Sequence, residues 1–141
     1  MEKKDFKKNR VGMGGYNLVV GLLLIAGPRS LFAVCPRTDH IMKCWWSVQA
    51  VLGLGIIIIF AGILYFVFSN LEVKKVITFM AIIVFIVSFL IPRVLIGGCM
   101  NPGMQCQAVT FPWIYGICAV SILVNLGNVV YLYRIGGREN A

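Results

Sequence analysis

The sequence predicts an all-α integral membrane protein: a four-transmembrane-helix bundle built from two helical hairpin repeats of parallel orientation, with both termini cytoplasmic. Three observations carry that reading. Of the 141 residues, 60% are hydrophobic and 13% charged, with a mean hydropathy of +0.89, whereas soluble domains are about half apolar and about a quarter charged. Four stretches, roughly 14–34, 45–69, 76–98 and 108–133, reach the length that crosses a hydrocarbon core, about 20 residues for about 30 Å. The first and third stretches also end alike. Pro28-Arg29-Ser30-Leu31-Phe32-Ala33-Val34-Cys35 recurs as Pro92-Arg93-Val94-Leu95-Ile96-Gly97-Gly98-Cys99, and each is followed by a short polar loop and a Met-x-Cys, at Met42-Lys43-Cys44 and Met104-Gln105-Cys106. Self-similarity of this kind marks an internal duplication.

Backbone polar groups have no water to bond in lipid, so runs this long and unbroken are helices rather than loops. The first follows a basic segment, residues 1–13, which reads as a cytoplasmic tail lying against anionic headgroups. A basic head before an apolar run also resembles a signal peptide, but Phe32-Ala33-Val34 is a poor small-residue cleavage site, so the helix is expected to be retained. The second helix starts at a Trp45-Trp46 pair and carries Gly53, Gly55 and Gly62. A polar hinge over Ser69 to Lys75 leads to the third, and the fourth contains Trp113, Gly116, Cys118 and Gly127. Glycines inside such helices let backbones approach closely. Pro28 and Pro92 are expected to kink the two outward-running helices at matched depth. The result is one membrane domain over 1–141, with repeat one at 14–69 and repeat two at 76–133.

Orientation follows from the cations, because cytoplasmic loops are rich in Lys and Arg. Lys3, Lys4, Lys7, Lys8, Arg10, Lys74, Lys75, Arg134 and Arg138 fall on one side, and only Arg29, Arg37, Lys43 and Arg93 on the other. The smaller set flanks the cysteine loops, which are therefore expected outside a bacterial inner membrane. The formal net charge of +8 is this topological bias. No basic surface with interleaved aromatics exists apart from it, so nucleic acid is not an expected partner.

Cys35, Cys44, Cys99 and Cys106 are the residues best placed to carry chemistry. An even number of thiols in an oxidising compartment points to disulfides. Three pairings are possible, and the repeat makes Cys35–Cys44 with Cys99–Cys106 the simplest, each closing a short loop for about 2–3 kcal/mol. Two other chemistries stay open. Cys35, His40, Met42, Cys44, Cys99, Met100, Met104 and Cys106 together make a soft ligand set suited to a copper-like ion, although the spacing matches no zinc pattern. Four helices with two external cysteine pairs also share the layout of membrane thiol-disulfide oxidoreductases, but without the C-x-x-C spacing that makes a pair exchange quickly. Cys118, mid-helix among apolar residues, reads as a packing residue.

Arg29 and Arg93 read as helix-end cations that snorkel to the interface, or as two guanidinium groups sharing an external vestibule for a carboxylate or phosphate. Trp45, Trp46 and Trp113 fall where interfacial aromatics belong. Asn17, Asn125 and Asn128 need partners in lipid and are expected to bond between helices. No acidic residue lies within the four apolar stretches, which argues against a carboxylate proton relay. No phosphate-cradling loop or hydrolase triad is present, and no cofactor is expected.

Met42-Lys43-Cys44-Trp45-Trp46 and the segment Leu95-Ile96-Gly97-Gly98-Cys99-Met100-Asn101-Pro102-Gly103-Met104-Gln105-Cys106 resemble a family of small bacterial four-helix membrane proteins of unknown function. The resemblance covers nearly the whole chain. Where the family often places His after these cysteines, this chain has Trp45 and Gln107. The resemblance implies an accessory role beside export-type ATP-driven transporters. The expected protein is thus a non-enzymatic membrane subunit whose disulfide-pinned outer cap presents Arg37, Trp45, Trp46, Asn101 and Trp113 to a partner, the simplest being a second copy of itself.

Overall fold

The computed structural model describes residues 2–31, 43–97, 103 and 106–139. Helices α1 (Glu2–Ala26), α2 (Lys43–Val67), α3 (Leu71–Leu90) and α4 (Phe111–Glu139) account for most of them, and no strand occurs among the described residues. Extended by their flanking π-helical turns, the apolar spans are Lys3–Ser30, Trp45–Val67, Leu71–Leu95 and Gln107–Arg138, of 28, 23, 25 and 32 residues. At about 1.5 Å per residue each is long enough to cross a bilayer core. The chain is an all-helical multi-pass membrane protein.

The basic segment expected to be a tail is instead helical and continuous with the first span, since α1 starts at Glu2. Lysine is a good helix former, and the inward side of this extension is anchored by Phe6 and Asn9, which contact α3, α2 and α4. The hinge is shorter than the sequence suggests. Only Phe68–Asn70 leave the helical path, and Lys74 and Lys75 lie in the first turns of α3.

All four helices bury one stripe at alternating spacings of three and four. The buried positions are 14, 17, 21, 24 and 28 along α1 and its extension, 48, 51, 55, 58, 62 and 65 in α2, 74, 78, 81, 85 and 88 in α3, and 111, 114, 118, 121, 125, 128 and 132 in α4. A period near 3.5 is that of left-handed bundle packing. The opposite faces carry exposed Val19, Phe60, Phe79 and Leu123, as lipid-facing surface does.

Antiparallel α1 and α2 meet along glycines. A Cβ on Gly21 would lie 3.0 Å from the Gly55 carbonyl oxygen and 2.6 Å from Ile59 Cγ1, and one on Gly62 would lie 3.1 Å from the Gly14 oxygen. Of the glycines expected to pack, Gly55 and Gly62 do so, while Gly53, Gly116 and Gly127 have open space beside them. Antiparallel α3 and α4 meet instead through bulk: Phe85, Ile114 and Cys118 are buried, and the Phe89 and Tyr115 rings lie 4.9 Å apart at 55°. Helix α1 packs mainly on α2 and α3 mainly on α4; α2 touches α3, and α1 touches α4 more lightly.

Both copies of the Pro-Arg-x-Leu sequence form the same local structure, a π-helical turn at Gly27–Leu31 and at Ile91–Leu95. Proline has no N–H to give the carbonyl four residues back, and its ring crowds that carbonyl. Widening the turn relieves the clash and re-pairs the freed groups. At the end of the second copy the wider turn also shows in the Ile91 carbonyl, which accepts from Ile96 N at 3.1 Å and Gly97 N at 3.4 Å. Gly97 follows at φ +82°, a conformation open to glycine at little cost, and its carbonyl accepts from Ser47 Oγ at 3.0 Å, joining the end of the third span to the start of α2. In both copies the proline is buried and the arginine exposed.

Candidate functional site

The sequence placed the chemistry at the loop end of the bundle. Cys35, Arg37, His40, Met42, Cys99, Met100, Asn101 and Met104 lie outside the described residues. Cys44 and Cys106 are placed by their backbones only, in the first turn of α2 and at the start of the π-helical turn Cys106–Thr110 before α4. Cys118 is a free, fully buried thiol in the core between α3 and α4.

The aromatic residues gather at this same end. Trp45 and Trp46 occupy the first turn of α2 and stack edge to face with centroids 5.2 Å apart, and Trp113 stands in the first turn of α4. Trp46 and Trp113 are exposed. Arg29 and Arg93 are exposed at the ends of their spans. Arg93 borders a recess of about 350 Å³ formed with Pro92, Gln107, Phe111, Pro112 and Tyr115, and Arg29 is not part of that lining. The recess therefore takes one of the two guanidinium groups expected to share a vestibule.

A second concavity of about 530 Å³ opens between α1 and α4, with Val19 and Leu23 on one wall and Pro112, Trp113, Ile117 and Val120 on the other. It exists because α1 and α4 diverge toward the loop end. Tyr16 Oη and Ser121 Oγ, 3.2 Å apart, tie the two helices below it. Gly116 leaves its α4 wall without a side chain, with nothing within 4 Å of where one would stand. The walls are apolar throughout and Pro112 is shared with the Arg93 recess.

At the opposite end lies a polar cluster drawn from all four helices. Tyr65 Oη donates to Asn9 Oδ1 at 2.8 Å, Asn9 Nδ2 donates to Asn128 Oδ1 at 2.9 Å, and Asn128 Nδ2 donates to Tyr65 Oη and Thr78 Oγ1, both at 3.1 Å. Thr78 Oγ1 in turn donates to the Lys74 carbonyl at 2.8 Å. One turn toward the middle, Asn125 Nδ2 donates to the Ser121 carbonyl at 2.8 Å, while the Asn17 and Asn125 side-chain oxygens are buried without a partner. Asn128 makes the interhelical bonds expected of it; Asn9, Tyr65, Thr78 and Lys74 were not anticipated. The sequence carries a signal for the last two, because 74 and 78 continue the 81, 85, 88 stripe of α3, although Lys74 also falls within the polar hinge expected over 69–75.

Nine of the chain's cations share this end. Phe6 of α1 meets Lys74 of α3, and Gly136 near the end of α4 faces Leu71 and Lys75, so the basic residues of 3–10, 74–75 and 134–138 flank one end of the bundle.

Residues 17–131 match the DUF4418 family, a domain of unknown function, and the chain belongs to that family. The matched region runs from the buried Asn17 of α1 to Tyr131 of α4 and so includes both hairpins. No curated protein and no solved structure matches the chain.

Proposed function

We propose that this DUF4418 protein is a non-enzymatic subunit of a bacterial inner-membrane assembly, an accessory or assembly partner of a transporter or another envelope complex. In this reading both termini are cytoplasmic, and the loops carrying Cys35, Cys44, Cys99 and Cys106 form a disulfide-stapled cap outside. The gathering of the basic residues at one end of the bundle supports that orientation.

The observation that carries the proposal is the unclosed side between α1 and α4. Helices in lipid associate by close packing rather than by escape from water. A four-helix bundle that closes three of its sides and leaves an apolar concavity of about 530 Å³ on the fourth has a seat for a further helix. Gly116 on its wall permits the close backbone approach that small residues provide. The occupant we assign is a transmembrane helix of a partner subunit, packed beside Trp113 on the α4 wall.

Photo-crosslinking in intact cells tests this. A photoreactive residue at Val120, on the groove, is expected to give one discrete protein adduct, while the same residue at Phe79, on the lipid face of α3, gives none. Adducts of equal pattern at both positions, or lipid adducts alone, would remove the proposal. Non-reducing peptide mapping of the native protein tests the cap: Cys35, Cys44, Cys99 and Cys106 are expected fully oxidised, and free thiols at these positions would reject it.

A further inference from the structure

Among the described residues, the inner end of the bundle holds a charge without a counter-ion. Lys74 is 0% exposed, and its Nζ has no hydrogen-bond acceptor. It lies 3.6 Å from the centre of the Phe6 ring and 5.2 Å from that of Tyr65. Aromatic faces attract an ammonium group, but they do not replace the acceptors its three N–H bonds have in water. Arg10, one helical turn beyond Phe6 on α1, carries a second positive charge at this end. Its Nη1 donates to Ser69 Oγ at 3.2 Å, and its Nε is also buried without a partner.

Among the described residues nothing completes this pair. Asn9 Oδ1 already accepts from Tyr65, Asn128 Oδ1 from Asn9, and the Lys74 carbonyl from Thr78. Glu72 points to Lys75, whose Nζ it holds at 2.7 Å, and Asp5 is exposed on α1. The start of α3 adds to the positive potential: Asn70 makes no side-chain cap bond, so the first amides of that helix keep their partial charge. Buried charges in proteins are paired, and two adjacent cations with free N–H groups call for an anion with several acceptor oxygens.

We propose that Lys74 and Arg10 form a binding site for a phosphate group at the inner end of the bundle, reached past Phe6. A tetrahedral phosphate offers oxygens to Nζ and Nε together, with the short charge-assisted bonds such groups make. Phe6 is half-buried on the outermost turns of α1 and lies against Nζ on the side of the entrance we propose. Exposed Lys3, Lys4, Lys7 and Lys8 around it concentrate anions at the entrance. A phospholipid headgroup and free inorganic phosphate present the same chemistry. The site lies at the opposite end from the α1–α4 groove and does not depend on the partner reading.

The test uses the full-length protein purified in neutral detergent, with dioctanoyl phosphatidylglycerol and inorganic phosphate as separate probes, and binding read by native mass spectrometry and by thermal shift. Lys74→Met and Arg10→Gln are expected to weaken binding roughly tenfold each, the size of a lost hydrogen bond to a charged group. Lys74→Arg keeps it and Lys75→Gln leaves it unchanged. That pattern with phosphatidylglycerol alone assigns the site to a lipid headgroup, and with inorganic phosphate to the free ion. If Lys74→Met does not fold, Arg10→Gln gives the same reading. Absence of binding by both probes, or binding indifferent to Lys74 and Arg10, overturns the site.

Discussion

The two hairpins begin from the same repeated sequence and end in different packing. Helices α1 and α3 both finish in a π-helical turn around a buried proline and an exposed arginine, so the ends of the repeats have stayed alike. The seams have not. In the first hairpin Gly14 and Gly21 face Gly62 and Gly55, and backbone touches backbone. In the second, Phe85, Phe89, Ile114 and Tyr115 fill the same space with side chains. In lipid, where burial from water drives nothing, a glycine seam relies on dispersion and weak contacts between close backbones, while a side-chain seam relies on filled volume. The first tolerates no added atom, and the second tolerates no lost one.

The largest effect is expected from violating the first rule. Gly21→Leu puts its Cβ within 2.6 Å of Ile59 Cγ1 and within 3.0 Å of a backbone oxygen that cannot rotate away, so α1 and α2 must part, at about 3 kcal/mol or more. Gly53→Ala is the control, since nothing lies within 4 Å of the new methyl, and it removes about 0.5–1 kcal/mol of helix penalty. Thermal unfolding in a fixed detergent compares them. Equal melting temperatures for Gly21→Leu and Gly53→Ala would contradict the glycine seam.

The second hairpin breaks by deletion. Phe85→Ala leaves a void beside Ile114 and Cys118, with an expected loss of about 2 kcal/mol; the 3–5 kcal/mol typical of aqueous cores includes a transfer share that lipid does not supply. Phe85→Leu should recover much of the loss. A melting curve in which Phe85→Ala matches the parent would mean that the α3–α4 seam is not held by volume.

This asymmetry also explains which parts of the molecule could be read from the chain. Four spans and two matched proline turns were legible because long apolar runs and a repeated Pro-Arg-x-Leu have few physical solutions in lipid. The seams were less so. Gly55 and Gly62 stood out as glycines, but Gly53 did as well, and only the register of α2 against α1 separates packed from open positions. At the basic end, cation counting groups Lys74 and Lys75 together in a polar hinge. The two differ by one residue and by about 100° around α3, enough to bury one and leave the other paired at the surface with Glu72. The basic segment before the first span was likewise read by its charge, whereas Phe6 and Asn9, two uncharged residues within it, are what bind it to the bundle.

Where the hairpins meet, the polar cluster at the basic end offers the finest test of the comparison, because it belongs to both. Asn128 of the second hairpin holds Asn9 and Tyr65 of the first together with Thr78 of its own. Asn128→Leu removes those bonds while keeping the volume, leaving Asn9 Nδ2 without its acceptor. Interhelical hydrogen bonds in membranes are individually small, so the expected cost is about 1–2 kcal/mol for the several lost here. Asn128→Leu and Asn9→Leu share that cost, so the double change should cost less than the sum of the single ones. Gly21→Leu and Asn128→Leu act on a seam and on a junction that share no contact, and their losses should add. Full additivity of Asn9→Leu with Asn128→Leu would show that the two hairpins are joined by shape alone and that the polar junction contributes no coupling between them.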